Sequence, residues 1–303
     1  MQVLWVFAHP DPRSLNGALR DEGIAALREH GHAVVESDLY AMGWDPVVDH
    51  ADFAHDRASR LDVLTESQRA LESGTLSADI RREQEKLRWA DTLVLQFPLW
   101  WFGPPAILKG WFDRLLVQGF AQGVLDPCTG RARRYGDGGL AGRRAMVITT
   151  VGANAATTGH RGIHGNIDDL LFPITHGTLW YTGMSVVPPF VLNSAIGLSD
   201  ARYRSAADQL RQRLESLPTS ETIPFRAQDG GDYDEHLVLR SDQAADQSGP
   251  RMHYRGQAVT QSYGQAPRVR VRAGSRWRTS SGAPARSGPG SRPPPTGRQP
   301  CCG

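Results

Sequence analysis

The chain has 303 residues, of which 40% are hydrophobic, and a formal net charge of +2. It is long enough to bury a full core, and no run approaches the roughly 18 apolar residues of a membrane-spanning helix. Its three cysteines, Cys128, Cys301 and Cys302, give neither a disulfide framework nor a metal-ligand spacing, so a cytoplasmic protein without a metal site is expected.

Residues 2–8 form a short apolar run ending at His9-Pro10. With no basic start and no small-residue cleavage site, the run predicts a first buried strand and not a signal peptide. Ser14 is placed to cap a helix whose apolar positions Leu15, Ala18, Leu19, Ile24 and Leu27 roughly follow helical spacing and which stops near Gly31. Ala33-Val34-Val35-Glu36-Ser37 predicts a second strand. A polar excursion with short helices follows over 44–73, and Ser77 opens a charged helix through Trp89.

The third strand is predicted over 92–97. It runs into Pro98-Leu99-Trp100-Trp101-Phe102-Gly103-Pro104-Pro105, a loop with three large rings where small polar residues are usual. Ile107, Leu108, Trp111, Phe112, Leu115 and Leu116 then recur at helical intervals. An irregular insert over 119–142 leads to a fourth strand over 145–150 and a glycine- and threonine-rich loop over 151–165. A helix is expected from Asp168 to about Trp180, a fifth strand at Ser185-Val186-Val187-Pro188, and a closing amphipathic helix over 200–217.

Alternating strands and helices predict an α/β doubly wound parallel sheet of five strands in the flavodoxin-like order 2-1-3-4-5. The domain is expected to span 1–245, extending to 255 at most, with an Arg/Gly/Pro/Ser-rich disordered tail over 256–303. From Gln247 onward there are ten Arg and no Asp, Glu or Lys; without those ten, 24 basic residues face 32 acidic ones, a net charge of −8. Such a tail has too little apolar surface to offset its ordering entropy, and nucleic-acid binding through it is not expected.

In that strand order the exits of strands 1, 3 and 4 converge on one crevice. The first exit, His9 to Asn16, ends at a helix start where free amides, Ser14, Asn16 and Arg13 suit an anion such as a pyrophosphate. The second exit presents a flat apolar wall for a planar ligand, although the same rings taken alone would also suit a core cluster. The third, Thr149-Thr150-Val151-Gly152, offers amides to a ring edge. His164, between Gly162-Ile163 and Gly165, is a candidate proton-transfer or electrostatic group, or an ordinary loop histidine.

Val35-Glu36-Ser37-Asp38-Leu39-Tyr40-Ala41-Met42, the 96–112 stretch, Gly162-Ile163-His164-Gly165 and Phe172-Pro173-Ile174 together resemble the NAD(P)H:quinone oxidoreductase (DT-diaphorase) family, the bacterial members most of all. The resemblance runs from residue 2 to about 240. It implies a flavodoxin-like homodimer that binds FAD, with FMN as the alternative, and passes hydride from NAD(P)H through flavin N5 to a quinone or another small aromatic acceptor.

By the same resemblance, His9, Leu15, Asn16 and Ala18 hold the flavin's phosphates and ribityl chain. Pro98, Leu99, Trp100, Trp101 and Phe102 lie against its ring system, and Trp101 and Phe102 also line the substrate pocket. Thr149, Thr150 and Gly152 donate to the ring edge, with Val151 a cofactor-binding candidate between them, and His164 stabilises the reduced flavin. Tyr181 reaches a partner subunit's pocket, and Arg202 lies near the diphosphate.

Three departures from the family pattern stand out. Val151 replaces a usual glycine, Thr158 stands at or near a usual tyrosine, and Ala121-Gln122-Gly123-Val124 replaces a tyrosine pair. Two other readings fit the same scaffold. One is an azo- or nitroreductase; the other is a cytoplasmic ancillary regulator of a potassium-efflux system, touching a membrane transporter.

Overall fold

Strand β3 (Thr92–Pro98) is buried at every position, as expected for a strand covered on both faces. In the computed structural model, which describes residues 1–256, it is the centre of the sheet. Apart from Gly256, the expected disordered tail lies outside the described residues. β1 (Gln2–Phe7) pairs with β3 and with β2 (Ala33–Asp38), and β4 (Arg144–Val151) lies on the other side of β3. Every pairing is parallel, and the predicted order 2-1-3-4-5 is observed.

The fifth position corrects the single predicted strand. It is divided into β5 (Ser185–Val186), paired with the start of β4, and β6 (Phe190–Asn193), paired with its end. Between them stand Pro188 and Pro189, which have no N–H to give to the ladder.

Helices α1 (Leu15–Glu29) and α6 (Asp200–Glu215) cover one face, where Leu19, Leu27, Leu210 and Leu214 pack with Trp5. On the other face α3 (Ala78–Trp89), α4 (Ala106–Leu115) and α5 (Ile167–Ile174) bring Ile80, Leu108, Trp111 and Leu171 onto Leu4 and Leu95. The polar excursion carries α2 (Val63–Ser73) and a short 3-10 turn at His50–Phe53. Arg114 of α4 anchors it: its guanidinium, almost fully buried, donates from Nε to Asp52 Oδ1 at 3.1 Å and pairs with Asp79 at 2.8 Å.

The helix expected through Trp180 changes form partway. α5 ends at Ile174, and Thr175–Trp180 continues as a π turn, with Tyr181 N–H reaching the carbonyl of His176 at 3.0 Å. Pro173 lies inside α5, where it has no N–H to donate.

Residues beyond α6 fold back onto this turn. Phe172 stacks on His176 at 4.4 Å between ring centroids, and Phe225 meets His176 at 5.0 Å and Tyr254 at 4.9 Å. The His176 ring is 8% exposed, and burial, aided by the nearby His253, pushes its pKa down to about 4 from 6.5.

A depressed folded-state pKa means that the unfolded chain takes up this proton first as pH falls. His176 therefore contributes its full share of stability above about pH 6.5 and loses it progressively towards pH 4, a loss of about 2–3 kcal/mol. Urea unfolding at pH 7.5 and pH 5.0 should show a large drop in the wild type and a clearly smaller one in His176→Phe; equal drops would remove His176 as the cause.

Candidate active site

The sheet register brings the three strand exits together: Phe7 lies opposite Gln96, and Pro98 opposite Thr150. Gln96, fully buried in an otherwise apolar strand, links them by hydrogen bonds. Its carbonyl oxygen accepts from Trp5 Nε1 at 3.0 Å, and its amide donates to the Asn16 carbonyl at 2.7 Å. Asn16 Nδ2 in turn donates to Thr150 Oγ1 at 3.0 Å. The start of α1 is thereby tied to the end of β4 through the core.

The first exit is tightly wound. Ser14 Oγ caps α1 by accepting from Gly17 N–H at 3.1 Å. A Cβ on Gly17 would lie 1.8 Å from the Pro12 carbonyl oxygen, so only glycine lets the helix start so close to the loop. The first turn of α1 carries no acidic side chain, which leaves its positive end free for an anion. The Asp11 N–H and the Asp11 carbonyl oxygen lie 3.1 and 3.0 Å from His9 Nδ1, which ties the imidazole to the loop backbone. Leu15 and Ala18 follow within α1, Leu15 against the core. Arg13 differs from expectation: it turns away, exposed, to pair with Asp11 at 3.1 Å.

The aromatic loop is a tight two-residue turn. Trp100 and Gly103 exchange backbone hydrogen bonds of 2.9 and 3.0 Å. Trp101 and Phe102 between them have φ of 48° and 64°, the left-handed pair that such a turn requires and that Asn-Gly normally supplies. Holding bulky side chains there costs about 1–2 kcal/mol per residue. The outcome is display: Trp101 is 95% exposed, Phe102 51% and Trp100 44%, so these rings are not a core cluster. Leu99 N–H donates to the Thr150 carbonyl at 2.9 Å, fixing the turn to β4.

Leu99, Trp101, Phe102, Val151, Gly152 and His164 line one cavity of about 200 Å³, with Thr158 and Leu170 completing its wall. Phe102 and His164 lie 5.8 Å apart between ring centroids. Val151 is buried and so adds its bulk to the floor. Thr158, also buried, donates its hydroxyl to Asn193 Oδ1 at 3.2 Å. Thr149 and Thr150 lie just inside, both buried. Two residues lie away from this cavity: Tyr181, expected at a partner subunit's pocket, packs edge-on against Tyr135 at 5.1 Å, and Arg202, expected near a diphosphate, is exposed at the start of α6, donating to the Asn193 carbonyl at 3.2 Å.

The arrangement accepts a flavin. An apolar wall faces a glycine-bearing backbone, a helix start is free of acid, and Asn16 Oδ1 and Thr149 Oγ1 are buried without partners at the junction. Sequence reasoning missed Gln96, Asn193 and Ile196, whose Cδ1 would lie 2.9 Å from a Cβ placed on Gly152. Only Gln96 left a signal, as the one polar residue in Leu93-Val94-Leu95-Gln96-Phe97.

A flavodoxin-like fold is also what comparison with known proteins finds, the family description matching residues 1–214. A ribosyldihydronicotinamide dehydrogenase-like protein of Penicillium crustosum is 44% identical over 86% of this chain and 98% of its own. The rat NAD(P)H dehydrogenase [quinone] 1 is 37% identical over 74% of this chain and 80% of its own. A structure described as a quinone reductase from Klebsiella pneumoniae superposes with a TM-score of 0.81 at 46% identity, covering 84% of this chain and all of that one. The chain belongs to the flavodoxin-like family of NAD(P)H:quinone oxidoreductases.

The strained turn yields a prediction. Trp101→Asn combined with Phe102→Gly should raise stability by about 1–3 kcal/mol, because both positions then suit positive φ. The same variant should bind flavin more weakly. Thermal unfolding of the flavin-free protein and flavin titration check the two halves separately.

Proposed function

We propose that this chain is a flavin-dependent NAD(P)H:quinone oxidoreductase. The observation that carries the reading is the pair Trp101 and Phe102, held exposed at positive φ over a cavity that also contains Gly152 and His164. When bound, the flavin supplies the centre that accepts hydride from NAD(P)H and delivers it to the quinone.

The protein's part is to bind, orient and balance charge. Leu99, Trp101 and Phe102 provide a dry stacking surface on which nicotinamide and quinone can alternate. The backbone at 150–152 would donate to the ring edge, and His164 would stabilise the negative charge that develops on reduction, in the manner of an oxyanion hole. Ser14, Asn16 and the α1 N-terminus would hold the phosphates, with His9 beside them. FAD is preferred to FMN on the resemblance; the acid-free start of α1 suits the phosphates of either.

A homodimer fits the large apolar side chains that a single chain leaves in solvent near the cavity: Trp101, Ile163 at 89% and Ile196 at 85% exposure. No helix among the described residues is long and apolar enough to cross a membrane. A cytoplasmic enzyme is the reading that three cysteines without a disulfide framework support. The proposed functional domain is 1–245, with 255 as its outer bound; Tyr254 packing on Phe225 at 4.9 Å favours the longer extent.

The purified protein should be yellow and should release FAD on denaturation. It should oxidise NADH or NADPH only when a quinone is present, and azo dyes and nitroaromatics assayed beside quinones rank the acceptors. A colourless protein that takes up no added flavin would overturn the proposal. His164→Ala should slow flavin reduction by about 10²-fold while the flavin stays bound; stopped-flow reduction at an unchanged rate would remove His164 from the mechanism.

A further inference from the structure

The loop over 152–166 leaves β4 beside the cavity and carries His164, so whatever holds this loop sets where the imidazole stands. Local bonds close its turns. Asn154 Oδ1 accepts from the N–H groups of Ala156 and Thr157 at 3.0 and 3.2 Å, and Gly162 N–H donates to the Gly159 carbonyl at 2.9 Å. Two neighbouring carbonyls then bear on the histidine: that of Thr157 accepts the His164 N–H at 3.0 Å, and that of Thr158 accepts the Ile167 N–H at 2.9 Å. A Cβ on Gly162 would lie 2.1 Å from the Thr157 carbonyl oxygen, so the backbone is wound tightly at this point.

A buried side chain ties the turn to the sheet. Thr158 is 4% exposed, and its hydroxyl donates to Asn193 Oδ1 at 3.2 Å. Asn193 ends β6, lies opposite Val151 in the ladder and is itself buried. The anchor is therefore part of the sheet and not of another loop. Arg251 also reaches the loop, 3.4 Å from His160 Nδ1, but on an exposed side where water competes.

We propose that Thr158 is a positioning residue for the hydride-transfer site: held by Asn193, it fixes the carbonyls that set His164 at the cavity. The inference rests on the flavin reading of the site and names the residue that keeps His164 in place there. Thr158 stands at or near the family's usual tyrosine, yet its hydroxyl is committed to the sheet. It acts through the loop backbone and passes no proton to His164. A misplacement of about 1 Å would be felt, because stabilisation of developing charge depends on preset geometry.

Thr158→Val removes the hydroxyl and keeps a side chain of similar shape, whereas Thr158→Ser keeps the hydroxyl. In the flavin-free full chain, hydrogen exchange at the His164 and Ile167 amides should be about tenfold faster in Thr158→Val than in the wild type, and restored in Thr158→Ser. In the flavin-loaded chain, stopped-flow reduction at saturating NADH or NADPH should slow about tenfold in Thr158→Val, with flavin affinity within about twofold, and recover in Thr158→Ser. Placed on His164→Ala, Thr158→Val should change the rate by less than about twofold, since residues that act as a unit are not additive. Unchanged amide exchange, an unchanged reduction rate, or a further loss of about tenfold on His164→Ala would each overturn the proposal. A wild type that neither NADH nor NADPH reduces would instead overturn the flavin reading, and this inference with it.

Discussion

The site depends on a buried side-chain amide. Gln96 occupies the middle of the sheet, where a leucine would pack as well, and uses both ends of its amide: one accepts from Trp5, the other donates to the backbone of Asn16. Through Asn16 and Thr150 the chain of bonds crosses from the start of α1 to the end of β4. In a low-dielectric core such a chain is strong when complete and costly when broken. It fixes the start of α1 against the end of β4.

On that rigid base the aromatic turn is held in an unfavourable conformation. The hydrogen bond from Leu99 to Thr150 and the paired bonds between Trp100 and Gly103 leave Trp101 and Phe102 no extended alternative. Conformational energy is thus spent to keep apolar rings out of the core and in contact with solvent. Selection for stability alone would place Asn-Gly at these positions.

Much of this was legible in the sequence. Strand runs, Ser14 as a cap and the ring-rich exit of β3 were enough to give the sheet order and to bring three loops to one crevice, because parallel α/β sheets gather their strand exits in that way. What stayed hidden was non-local or conformational. Positive φ at Trp101 and Phe102 contradicts their residue types, so no propensity could show it. The bond from Thr158 to Asn193 joins a loop to a strand far along the chain. Pro188 reads as the end of a strand, although two adjacent prolines also allow the ladder to resume beyond them, as β6 does.

That interrupted strand has a consequence for assembly. β5 and β6 form one of the two edges of the sheet, where an unbroken strand would invite another chain to add a strand. Prolines 188 and 189 divide this edge into pieces of two and four residues, with no donor at the break. So short and broken an edge makes a poor template for sheet extension. The break thus guards this edge of the sheet against edge-to-edge aggregation.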